Sequence, residues 1–130
     1  MIDVSKLDGD MWRIAKQTSN NVFMDNRPIV MTSLSDYIVI SMGNKIDITD
    51  FGNNSINEVS ILFELSAKDI DDKGTKNSKR LGEMENSLIT NIDNATTNGY
   101  YFKYRGTIGA PYFKDGFHSI VVRYSITISN

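Results

Sequence analysis

The chain contains no cysteine, and only two prolines, one histidine and one tryptophan among 130 residues. Without thiols there are no disulfide staples, thiolate nucleophiles or cysteine-ligated metals. Neither sign of charge dominates: sixteen acids and fourteen bases are interspersed, for a net charge of −2. A nucleic-acid-binding domain normally carries a basic face or stripe, and this balance argues against one. No apolar run approaches the ~20 residues that a membrane-spanning helix needs. The opening stretch, MIDVSKLDGDMW, holds acids and no apolar core, so no secretory signal is expected there. The sequons at Asn53 and Asn94 are accordingly read as chance in an asparagine-rich chain.

What is present points to a packed core. Apolar residues make up 40% and aromatics 10% of a length that suits one domain, and a single domain over residues 1–130 is expected. Residues 4–18 read as a helix, with Val4, Leu7, Met11, Ile14, Ala15 and Thr18 at three- and four-residue steps. The stretch 22–35 is weakly patterned; Pro28 breaks any helix there, and Ile29–Met31 is expected as a short edge strand. Tyr37–Met42 reads as a strand closed by Gly43-Asn44, followed by a polar connection over 43–55. From Ile56 to Lys68 the alternation is nearly clean. Val59, Ile61, Phe63, Leu65 and Ala67 share one face, and Glu58, Ser60, Leu62, Glu64, Ser66 and Lys68 share the other.

After a charged loop, Asp69–Lys76, a second helix is expected from an N-cap at Asn77 or Ser78. Leu81, Met84, Leu88, Ile89 and Ile92 form its apolar stripe, and Glu85 is the one polar member. Two alternating segments follow, Tyr100–Ile108 and His118–Ser129, separated by a break at Gly109-Ala110-Pro111. The expected fold class is α+β: a two-layer sandwich, with a mostly antiparallel sheet of four to five strands and two helices on one face.

Candidate chemistry is sparse. Asp69, Asp71 and Gly74 fall at positions 1, 3 and 6 of a calcium loop, but Lys73 and Arg80 occupy positions 5 and 12, where oxygen ligands belong. The segment is read as a solvated loop without apolar anchors, mobile or ordered only by a partner. His118 has no nucleophile or orienting group nominated beside it. Gly106 and Gly109 precede Pro111 rather than a helix, so no phosphate loop forms. Tyr100, Tyr101, Phe102 and Tyr104 beside Lys103 and Arg105 have the flavour of a base-stacking strand, but a core-facing sheet edge explains the alternate members equally well. No catalytic residue, cofactor or metal is assigned.

The segment VSILFELSAK, the charged loop, the helix over 78–92 and the two strands ending VVRYSITIS together resemble the small neck proteins of tailed bacteriophages. Those are the tail-terminator and tail-completion (head–tail connector) proteins. The turn Asp115-Gly116-Phe117-His118 before the last strand is similar too. The resemblance is an order of elements running from about Leu7 to Ser129; residues 20–35 have no counterpart in it. It implies a non-enzymatic virion structural protein forming a ring of about six or twelve copies at the neck, assembled in the host bacterial cytoplasm. Its partners would be further copies of itself, portal adaptors and tail-tube proteins, with DNA passing non-specifically through the lumen and no membrane involved.

Residues expected at such an interface are Trp12, which lies off the main stripe of the first helix, the cations Lys103, Arg105 and Arg123, and the loop residues Asp71, Asp72 and Lys73. Charges of both signs on the polar sheet face can pair across strands or across a subunit boundary. A small cytoplasmic protein-interaction domain acting as monomer or dimer, and an enzyme completed only by assembly, stay open beside this reading.

Overall fold

The computed structural model describes residues 4–25, 33–49, 55–95, 100–114 and 116–129. In chain order its elements are helix α1 (Val4–Lys16), β1 (Val22–Met24), β2 (Asp36–Thr49), β3 (Ser55–Lys68), helix α2 (Ser78–Asn94), β4 (Tyr100–Lys114) and β5 (Phe117–Ser129). The five strands form one sheet in the order β1-β2-β3-β5-β4. β1 pairs parallel to β2, and every other neighbouring pair is antiparallel. The class is α+β, with a mixed, mostly antiparallel sheet and both helices on one side.

Periodicity explains the packing. In α1 the buried residues Leu7, Met11, Ile14 and Ala15 recur at helical steps, and in α2 the buried set is Leu81, Met84, Leu88 and Ile92. They close on Ile38, Ile40, Val59, Ile61, Phe63, Leu65, Val122, Tyr124 and Ile126, which point to one side of the sheet. Asn77 caps α2 by accepting from the Arg80 backbone N–H at 3.1 Å.

Two expected strand ends are instead irregularities inside longer strands. Gly43-Asn44 does not close β2. The register shifts between Met42 and Lys45, and pairing resumes from Lys45 opposite Val59 to Thr49 opposite Ser55. A bulge absorbs the Gly-Asn signal, and the segment KIDIT itself alternates as a strand does. Most of the expected 43–55 connection is therefore a hairpin arm. Likewise β4 runs on to Lys114 past Pro111, with a shift between Gly109 and Phe113. Proline is tolerated because β4 is an edge strand. The strand expected at Ile29–Met31 lies outside the described residues; the short strand observed before it is β1.

The second sheet face is not uniformly polar. Tyr37, Val39 and Phe117 are buried on the side away from the helices and pack with Phe23 and Leu34. The Tyr37 and Phe117 rings lie 5.3 Å apart between centroids. Beside them Ser66 and Ser119 are buried and share a hydrogen bond of 2.6 Å. The expectation of a polar sheet face is corrected in part: one end carries a small apolar cluster, and only the remainder is open and charged.

Candidate assembly surface

The open part of the outer face is built by strand register. Leu62 of β3 lies opposite Arg123 of β5, Ser60 opposite Ser125, and Val121 opposite Ile108 of β4. Alternation fixes which side chains emerge here, so each cross-strand row mixes apolar and charged side chains: Leu62 with Arg123, and Ile108 and Val121 with Glu64. Between Tyr104 and Gly106 the β4–β5 ladder shifts, leaving Arg105 as the extra residue. Gly106 adopts φ +107°, a left-handed conformation that suits glycine at such a bulge. The bulge turns Arg105 across the sheet. Its Nε donates to Ser125 Oγ at 2.9 Å, and its guanidinium stands 3.7 Å from Glu58. Arg123 donates to the Arg105 carbonyl at 3.0 Å.

The result is an open groove of about 520 Å³ lined by Glu58, Ser60, Leu62, Arg105, Arg123 and Ser125. Leu62 is 38% exposed and Ile108 46% exposed, so apolar surface is shown to solvent between cations. Among the described residues no carboxylate pairs with Lys103 or Arg123.

The expected interface residues fall in three places. Arg105 and Arg123 meet in the groove, with Lys103 exposed nearby on β4. Trp12 is exposed on α1, in the helix layer behind the sheet, and the Lys16 ammonium sits 5.1 Å from its ring centroid. Asp71, Asp72 and Lys73 lie in the loop after β3. That loop has more internal order than its composition suggests. Asp71 accepts from the backbone N–H groups of Lys73 and Thr75 and from the Thr75 hydroxyl, at 3.0, 3.1 and 2.7 Å. The hydroxyl bond, with the backbone bonds, holds its carboxyl below the ordinary aspartate range. Ile70 donates to the Thr75 carbonyl, and Gly74 takes φ +83° to close the turn. The Asp69 carboxylate is turned away from Asp71, its Oδ1 lying 2.5 Å from His118 Nδ1. Among the described residues no three His, Asp or Glu side chains stand where they could hold a metal. His118 is on the helix side of the sheet and the Ser66–Ser119 pair on the other, so these hydroxyls do not complete a triad with it.

One cluster was missed from the sequence. Asp36, at the start of β2, accepts from Ser19 Oγ at 2.5 Å and from Arg80 Nε at 2.9 Å, while Arg80 also donates to the Thr18 carbonyl at 3.3 Å. Thr18 in turn hydrogen-bonds Ser87, and Asn91 donates to both hydroxyls. A signal existed: Arg80 sits in the first turn of α2, where the helix dipole disfavours a cation. Such a local conflict calls for a specific acid elsewhere. The cluster ties α1, β2 and α2 together, and Thr18, Ser19, Asp36 and Arg80 line a small open polar pocket of about 150 Å³.

No protein-family model matches the chain, and no curated protein matches its sequence. Among solved structures, its fold is similar to that of the PVC sheath/tube terminator, in extended state, of an extracellular contractile injection system determined by cryo-EM. The TM-score is 0.53 and the identity 14%, over 99% of this chain and 55% of that one. The chain thus spans about half the length of that terminator, and at this identity the likeness is one of fold. No helix among the described residues is long and apolar enough to cross a membrane.

Proposed function

We propose that the chain is a non-enzymatic structural protein of a phage or phage-tail-like particle, of the tail-terminator or head–tail connector kind, forming a ring at the neck. The observation that carries this reading is the likeness of its whole fold to a sheath/tube terminator. The sheet supports it as well. One side is consumed by the helices, and the other offers charge of both signs around exposed leucine and isoleucine, which suits a contact between unlike patches. In this role about six or twelve copies close a ring, binding tail-tube proteins on one side and portal-side adaptors on the other. DNA passes through the lumen without specific recognition, consistent with a net charge of −2.

Mass spectrometry and imaging of purified particles test the proposal. Copies in a ring at the head–tail junction are the expected result. A chain absent from particles and found only in cells would overturn it in favour of a small cytoplasmic interaction domain.

A further inference from the structure

We propose that the loop Ile70–Lys73 of one copy docks into the outer-face groove of the next, with Ile70 over Leu62 and Asp72 against Arg123. The inference rests on the ring reading and names the contact that builds it. Its basis is a match between two unrelated parts of one surface. The groove offers exposed Leu62 flanked by Arg123 and Arg105, with Lys103 and Ile108 nearby. The loop offers the reverse: Ile70, 65% exposed, beside the exposed carboxylates of Asp71 and Asp72. Each side carries both signs, Arg123 and Glu58 in the groove and Asp72 and Lys73 in the loop, so unlike charges can flank the apolar contact, which favours register and orientation as well as encounter.

The loop is also shaped before it binds. Asp71 is spent on the turn, accepting from Thr75 and Lys73, and Ile70 is fixed through the Thr75 carbonyl. Little ordering entropy is left to lose on docking. A copy cannot fill its own groove. The loop follows the end of β3 at Lys68, and Leu62 to Ile70 spans eight residues, roughly 25 Å of extended chain. Loop and groove are different patches, so where each copy gives its loop to one neighbour and its groove to the other, the contact is heterologous and repeats around a ring.

The absence of native cysteine makes the test direct. Ile70→Cys and Leu62→Cys are prepared as separate single-cysteine chains, both at exposed sites, and oxidised alone and mixed at high concentration. The mixture should give a disulfide-linked dimer several-fold above either chain alone, and above a control pairing Ile70→Cys with Glu83→Cys on α2. Adding Asp72→Lys to the Ile70→Cys chain should weaken association by about tenfold, and Arg123→Glu on the Leu62→Cys chain should restore it. A mixed yield no better than the control, or no response to Asp72→Lys, overturns the contact. If the mixed pair fails while particles carry the ring, only this contact is wrong. If it succeeds while particles lack the chain, the contact stands and the virion role falls.

Discussion

Replacing Arg80 by alanine puts the buried Asp36 on trial. The Asp36 side chain is 12% exposed and that of Arg80 33% exposed. Removing one partner of a fully buried ion pair costs about 3–5 kcal/mol, because the remaining charge is left without compensation. Here water reaches one side of Arg80, and Ser19 Oγ still donates to Asp36, so the loss falls toward the 1.5–3 kcal/mol of a hydrogen bond to a charged group. Removing a cation from the first turn of α2 returns roughly 0.3–1 kcal/mol. The expected net loss is about 2 kcal/mol, read as a lower urea midpoint at unchanged slope. Asp36→Asn should cost a similar amount, and the double variant should show a coupling of about 1–2 kcal/mol. Additivity within ~0.5 kcal/mol would refute the claim that these residues act as one clamp.

Two further outcomes follow from the sheet. Phe63→Ala should lose about 3–5 kcal/mol and its neighbour Leu62→Ala less than about 1 kcal/mol in chemical denaturation, since they face opposite sides; equal losses would mean the faces are misassigned. Tyr124 is buried with its hydroxyl unpartnered, and burial pushes its pKa up to about 12 from an ordinary value of 10.0. Because the folded value is the higher one, the stability linked to the neutral phenol is complete below pH 10 and is lost as pH rises toward 12. Tyr124→Phe should therefore flatten the alkaline fall in stability while leaving stability at pH 7 little changed. A steep alkaline fall that persists in the variant would contradict this.

The helices and the core face were legible because their signal is periodic. Leu81, Met84, Leu88 and Ile92 cannot be arranged otherwise without exposing them, and Phe63 lies on the face that alternation assigns. Strand ends were less legible. Gly43-Asn44 and Pro111 are breakers in isolation, yet a bulge and an edge position accommodate them, and both accommodations depend on partner strands distant in sequence. The second apolar cluster escaped for a similar reason. The segment Tyr37–Met42 reads as a strand with no face assigned to Tyr37 and Val39, and Phe117 covers them only because β5 enters the sheet beside β3. At the candidate surface, the cations were visible as charges, but their convergence was not. Arg105 reaches Ser125 through a bulge, and Arg123 faces Leu62 through a register that pairs residues far apart in the chain. The Asp36–Arg80 clamp links residues 44 positions apart, beyond any local pattern.

The strand order has a consequence for how the molecule comes into being. β5 follows β4 in the chain yet lies between β3 and β4. During synthesis β3, α2 and β4 emerge with no place for β4 to attach, and the sheet stays split until residues 117–129 have left the ribosome. Long-range pairing of this kind is slow and comes late. Arg123 and Ser125, which line the groove, belong to that last strand. A nascent chain therefore has no groove for a neighbour to enter until β5 has emerged and paired with β3 and β4.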